Sequence, residues 1–341
     1  MDLSVSRPQA GGLHHHPHTR SRVSALVGGA ALVADELRLA EGHLRQMLQS
    51  CVPAVADIGR YLADSGGKRL RPLLTGLSAR ACGHAGDISR LMCAGELLHL
   101  GSLLHDDVVD DASERRGRPA AHLVHGNAGV ILTGDVCLAR SVQVAAEEGG
   151  HEAVLALTRV VAEMSEGEVI QLLNRENLAL AREVYDDIIE RKSAALISWC
   201  AAAGAWAADN DAAVDGLSRF GRAVGIAFQI TDDVLDYAGD AELTGKRPGR
   251  DLIERKATLP LLLALDHDPG LLAAIQASDD SEPTIAGLVQ RVNATGAPAK
   301  ALAVARGHVN EGIQALVSAV PDTPFRAALI ALAHHLVDRV R

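Results

Sequence analysis

Leu97-Leu98-His99-Leu100-Gly101-Ser102-Leu103-Leu104-His105-Asp106-Asp107-Val108-Val109-Asp110 is an apolar run that ends in D-D-x-x-D. Asp106 and Asp110 stand four residues apart, so on a helix they share one face about one turn from each other. His99 and Ser102 fall on the same stripe at steps of three and four, flanked by leucines. That texture predicts a mostly buried helix with one polar line turned towards a cavity. The pattern recurs as Asp232-Asp233-Val234-Leu235-Asp236, again after an apolar stretch, Ala223 to Ile230. A single acidic run is usually a solvated surface. Two such runs, each at the end of an apolar stretch, would make a polycarboxylate site for hard cations if their faces turn towards one cavity. Mg²⁺ suits it, with oxygen ligands, retained waters and a substrate phosphate completing the shell.

The rest of the chain supports helices. Of 341 residues, 48% are hydrophobic but only 2% aromatic, so strand-forming runs are scarce. Leu37, Ala40, Leu44, Met47 and Leu48 step along one face of a first helix, and Pro53 opens the next. Further helices are expected from about Pro72 to Cys82 (with Gly83 as the stop), from Ser89 through the first acidic motif, and over 131–148, 151–174, 183–208, 211–238 and 258–266. Several short segments are expected after them. No tandem repeat or linker divides residues 25–341, which predicts one large all-α helical-bundle domain. Residues 1–24, with His14-His15-His16-Pro17-His18, read as a disordered tail that also has features of a targeting peptide.

The net charge of −10 argues against nucleic-acid partners. It also means that an anionic substrate needs local cations, so the basic residues are informative. Gly66-Gly67-Lys68-Arg69-Leu70-Arg71-Pro72 is a glycine loop with three cations. It is not a Walker A loop, because Leu62 and Arg69 break that pattern. Lys68 and Arg71, three apart, can grip one phosphate. Arg115-Arg116-Gly117-Arg118-Pro119 puts guanidinium forks just beyond Asp110. Lys192, Lys246 and Lys256 surround the second motif. Five scattered cysteines without C-x-x-C spacing fit a reducing cytoplasm. No apolar run suggests a membrane span. The chemistry that uses paired acids with two basic pockets is Mg²⁺-assisted loss of diphosphate, with a second pocket for a diphosphate that is not lost.

With these residues in order, the chain resembles the trans-isoprenyl diphosphate synthases (polyprenyl synthetases), of long-chain type. The resemblance runs from about residue 30 to the C-terminus. It rests on Gly66 to Pro72, on Leu103 to Asp110 with Arg115-Arg116-Gly117, and on Gly134-Asp135. It continues through Phe228 to Asp236, and from Gly245-Lys246 through Gly249-Arg250-Asp251-Leu252 to Lys256-Ala257-Thr258-Leu259-Pro260. It implies the isoprenoid synthase fold, a homodimer with a deep central cavity per subunit, and three Mg²⁺ per active site. An allylic prenyl diphosphate then condenses head to tail with isopentenyl diphosphate. Asp106, Asp110 and Asp232 match the family's metal ligands. Asp236 is included with them here, although Asp107, Asp233 and Asp236 also fit supporting roles. Lys68, Arg71, His99 and Arg116 match the isopentenyl diphosphate site. Arg115, Lys192, Gln229, Lys246 and Lys256 match the allylic site, with Ser193 where relatives commonly carry Thr.

A cytoplasmic enzyme that touches membranes only peripherally, to release product, is the expectation. Other readings are a geranylgeranyl or farnesyl diphosphate synthase, a class I terpene cyclase, and a non-catalytic subunit of a heteromeric synthase. For product length, Gly101 and Ser102 lie one turn before Asp106, Leu98 two and Gly95 three. That reads as an open floor, favours a product longer than farnesyl, and makes Gly101→Phe the substitution expected to shorten it.

Overall fold

The computed structural model describes residues 28–64, 66–67, 69–115, 117–238 and 248–339. The elements run α1 (Ala34–Met47), α2 (Pro53–Ala63), α3 (Leu70–Ala81), α4 (Leu91–Val109), a two-stranded hairpin β1 (Glu114–Arg115) and β2 (Arg118–Pro119), α5 (Ala121–His125) and α6 (Asn127–Val144). After a π-helical turn (Ala145–Gly149) come α7 (Gly150–Leu173) and α8 (Arg182–Ile189). A second π-helical turn (Glu190–Ala194) leads into α9 (Ala195–Ala207) and α10 (Asp211–Ala238). The chain closes with α11 (Arg250–Ile253), α12 (Leu259–Leu265), α13 (Leu271–Gln276), α14 (Glu282–Ala294), α15 (Ala297–Ala319) and α16 (Pro324–Asp338). The all-α expectation holds. The hairpin was not foreseen; it pairs Glu114 with Pro119 and Arg115 with Arg118, turning at Gly117 with φ +76°.

Local signals set most boundaries. Pro53 occupies the first turn of α2, where its missing N–H costs nothing. Gly83, at φ +89°, ends α3 as expected. Thr323 Oγ1 accepts from the Arg326 N–H at 3.1 Å and caps α16. The C-terminal region departs from expectation, since α15 and α16 span 23 and 15 residues rather than short pieces. The reason is packing. Small residues on α15 let it lie against α10: a Cβ on Gly216 would press on Ala319, and one on Gly312 would come 2.8 Å from Ala223 Cβ. Leu74, Leu77, Leu97, Leu100, Leu104, Leu157, Leu196 and Phe220 are fully buried, so α3, α4, α7, α9 and α10 share one core. A small cavity of about 150 Å³ lies between α15 and α16, and one of about 270 Å³ lies between the end of α10, where Val234 of the second acidic motif lines it, and the α14–α15 junction.

The stretch Asn127–Leu173 is long and apolar enough, by length and composition, to cross a bilayer. A core helix passes the same test, and a π-helical turn containing Glu147 and Glu148 interrupts this one. Its outer face leaves Leu132 61% and Leu173 80% exposed.

Candidate active site

α4 ends at Val109, so Asp106 sits in its last turn and Asp110 at its C-cap. The leucine face is buried, while His99, Ser102, Leu103 and Asp106 keep partial exposure, as the polar stripe predicted. Burial pushes the Asp106 carboxyl up to about 6; Lys192 opposes this, and Glu168 and Asp110 add to it. Asp107 is fully buried and accepts from Arg115 Nε. Asp110 pairs with Arg175 at 2.7 Å. His105 explains the Gly134-Asp135 motif. Its ring occupies the space that a side chain on Gly134 would fill, with Nε2 3.0 Å from the Ile131 carbonyl and 3.4 Å from Asp135. α6 thereby holds the turn that carries Asp106.

The second π-helical turn connects the acidic helices. Lys192 pairs with Glu168 of α7 and lies in the field of Asp106. Ser193 Oγ donates to Gln229 Oε1 of α10 at 2.9 Å. Two glycines admit this turn. A Cβ on Gly167 would come 2.9 Å from Arg191 Cβ and 3.1 Å from the Lys192 nitrogen; a Cβ on Gly225 would come 2.6 Å from Ala194 Cα. The wider π geometry, which recurs at functional sites, carries Lys192 and Ser193 towards opposite acidic helices.

On α10, Asp232 pairs with Arg339 at 2.8 Å, and the Arg339 guanidinium stacks over Phe228 at 4.5 Å. Asp233 is buried and accepts from Tyr185 at 2.7 Å and from Gln229 at 2.9 Å. Asp236 accepts the backbone N–H groups of Asp251 at 2.9 Å and Arg250 at 3.2 Å. Both its oxygens thus anchor the return of the chain at α11. Lys256 lies 3.9 Å from Asp251. Burial pushes Asp251 up to about 8 against the pull of Lys256. Burial alone would lower Lys256; the carboxylates of Asp251 and Asp233 reverse this and raise it.

The glycine loop divides its cations. Arg69 adopts φ +50° at the N-cap of α3 and is held by Glu41 at 2.8 and 3.1 Å and by Glu96 at 2.8 Å. It clamps α3 to Glu41 and Glu96. Arg71 Nε is buried without a protein acceptor, and burial lowers its pKa. Lys68, Arg116 and Lys246 lie outside the described residues, as do the tail residues 1–24.

Two glycines thought to open the floor do not. A Cβ on Gly95 would press on Cys200 Sγ and lie 3.8 Å from Trp199. One on Gly101 would come 2.9 Å from the Gly134 oxygen and 3.2 Å from Cys137 Cβ. Both are sites of close helix packing, on α9 and α6. Among the described residues, no three His, Cys, Asp or Glu side chains converge on one ion position. Mg²⁺ needs no such protein cage, since one or two carboxylates with substrate phosphates suffice.

The structure therefore joins Asp106, Asp110, Arg115 and Lys192 into one group and Ser193, Gln229, Asp232, Asp233, Asp236 and Lys256 into another. The second π-helical turn lies between them. Glu168, Arg175, Tyr185, Arg339, Glu41 and Glu96 were not anticipated. Each meets its partner across tens of residues, a relation with no local spacing signal.

The Polyprenyl synthetase family model matches residues 52–291. The chain belongs to the polyprenyl synthetase family. It is a prenyltransferase, an enzyme of the transferase class. It is 35% identical to the octaprenyl diphosphate synthase of Escherichia coli over 316 residues, covering 91% of this chain and 98% of that protein. It is 33% identical over 312 residues to a short chain isoprenyl diphosphate synthase of Methanothermobacter thermautotrophicus, covering 88% and 95%. A crystal structure of a polyprenyl synthase from Caulobacter crescentus, complexed with calcium and isoprenyl diphosphate, superposes with TM-score 0.86 at 35% identity, covering 93% and 98%.

Proposed function

We propose that the chain condenses an allylic prenyl diphosphate with isopentenyl diphosphate, head to tail, into an all-trans-polyprenyl diphosphate longer than farnesyl. The observation that carries this is the second π-helical turn, which pairs Lys192 with Glu168 in the field of Asp106 and sets Ser193 against Gln229 of the second acidic helix. Asp106, Asp110 and Asp232 offer oxygen donors of the hardness Mg²⁺ requires, and Asp106 is a half-buried carboxylate whose raised pKa means that the positive charge around it does not offset its desolvation. Bound Mg²⁺, three ions in this reading, supplies positive charge to the departing diphosphate. Arg115, Lys192, Ser193, Gln229, Lys246 and Lys256 hold the allylic diphosphate. Lys68, Arg71, His99 and Arg116 hold isopentenyl diphosphate, for which the unpartnered Arg71 Nε offers a donor. The exposed apolar face of α6 and α7 fits a second copy of the chain, so the enzyme acts as a homodimer. Burial raises the thiols of Cys93 and Cys200 to about 12 and that of Cys137 to about 11, which keeps them protonated, in keeping with a reducing cytoplasm. Release of a long apolar product calls for peripheral contact with a membrane.

The test is incubation of the purified chain with Mg²⁺, isopentenyl diphosphate and farnesyl diphosphate, with product length read by chromatography. Elongated product that disappears with a chelator is expected. No product from the chain alone would favour a non-catalytic subunit, and product ending at farnesyl from a shorter primer would overturn the long-chain reading.

Product length depends on Ser102. It is partly exposed on the stripe that carries Asp106, whereas Gly101 faces α6. Ser102→Phe is expected to shorten the product to about geranylgeranyl length while the protein stays folded. Gly101→Phe is expected to lower the melting temperature, because its ring has no space beside the Gly134 carbonyl. Product chromatography and melting curves on both variants decide it; the opposite pattern would restore Gly101 as the floor.

A further inference from the structure

Asp233 follows a carboxylate assigned to metal binding, yet its own oxygens point elsewhere. It is 2% exposed, and each oxygen has a donor: Tyr185 Oη on Oδ2 at 2.7 Å and Gln229 Nε2 on Oδ1 at 2.9 Å. Because Nε2 faces Asp233, Gln229 turns Oε1 to the hydroxyl of Ser193 at 2.9 Å. A single chain of hydrogen bonds thus runs from Tyr185 on α8, through Asp233 and Gln229 on α10, to Ser193 beside Lys192. Tyr185 is 3% exposed and starts that chain. None of the substrate assignments uses it.

We propose that Tyr185 is a positioning residue for the allylic side of the site, acting through Asp233 on Gln229, Ser193 and Lys192. This rests on the prenyl-transfer reading above. Without the hydroxyl, a buried carboxylate lacks one of its two donors and draws Gln229 or Lys256 towards itself. The amide then no longer has to present Oε1 to Ser193. The isopentenyl side is untouched, since Arg71 lies among Gly95, Glu96 and Cys200, none of which belongs to this hydrogen-bond chain. Supporting residues of this kind change ligand affinity by roughly 10- to 100-fold.

Tyr185→Phe is therefore expected to raise KM for the allylic diphosphate about 10-fold and to leave KM for isopentenyl diphosphate within about twofold. Calorimetric affinity for inorganic diphosphate with Mg²⁺, which needs no turnover, is expected to weaken by a similar factor. Asp233→Asn keeps the shape of the site and is expected to give the same split. Adding Tyr185→Phe to Asp233→Asn is expected to change neither constant beyond about twofold, because the two act in series. Equal rises in both KM values, unchanged diphosphate affinity, or effects that multiply in the double variant would overturn the inference. A wild-type chain that makes no product would instead remove the prenyl-transfer reading. A productive wild type indifferent to Tyr185→Phe removes this inference alone.

Discussion

Asp106→Asn should cost at least about a thousandfold in turnover and, in the same protein without metal, raise the melting temperature. The two effects have one cause. Burial raises the Asp106 carboxyl from 3.8 to about 6, with Glu168 and Asp110 adding to the rise against the help of Lys192. For an acid, a raised folded-state pKa means that the folded chain binds the proton more readily than the unfolded chain does. Stability therefore falls as pH rises through the window from about 4 to about 6 and stays lowered above it. At neutral pH the ionised group costs on the order of 1–3 kcal/mol, and Asn removes that cost. It also removes a charged oxygen from the site proposed to receive divalent cations, where such charge is worth several kcal/mol in the transition state. Melting curves with and without Mg²⁺ plus inorganic diphosphate separate the two effects. Wild type gains stability from those ligands by mass action, whereas the variant starts higher and gains little. A folded Asp106→Asn protein that turns over near the wild-type rate, or melts below wild type without metal, contradicts the assignment.

What could be read from the sequence was whatever is local. Asp106 and Asp110, or Gln229 and Asp233, declare their shared face by a spacing of four. Pro53 and Gly83 declare a start and a stop. Tertiary choice was less legible. Asp236 reads in the sequence as either a ligand or a support, and no local signal shows that its oxygens accept from amides 14 and 15 residues ahead. Arg69 looks like a third phosphate cation, but Glu41 and Glu96 claim it. Gly95 and Gly101 show the difficulty most clearly. A small residue on a buried helix marks either a passage or a close approach, and only the neighbour decides. Here the neighbours are Cys200 and the Gly134 backbone.

The same kind of close approach makes Gly225→Ala a small change with a large expected effect on the site. In a helix interior this substitution ordinarily stabilises by about 0.5–1 kcal/mol, since Gly loses more backbone entropy than Ala. At Gly225 the new methyl would come 2.6 Å from Ala194 Cα and 2.9 Å from its Cβ, distances that require the backbone to move. Ala194 ends the second π-helical turn, and Gly167 of α7 leaves that turn no slack on its other side. The overpacking cost is about 1–3 kcal/mol and exceeds the entropic gain. The displacement falls on Lys192 and Ser193, so a net loss of about 1–2 kcal/mol in stability should accompany a loss of at least about 100-fold in kcat/KM for the allylic diphosphate, because misplacement by about 1 Å is enough to cost that much. Gly287→Ala, on α14 with open space around its Cβ, is the control and should stabilise slightly. Thermal melts and steady-state kinetics on the two variants decide the matter. Equal behaviour of Gly225→Ala and Gly287→Ala would mean that the second π-helical turn does not depend on this contact.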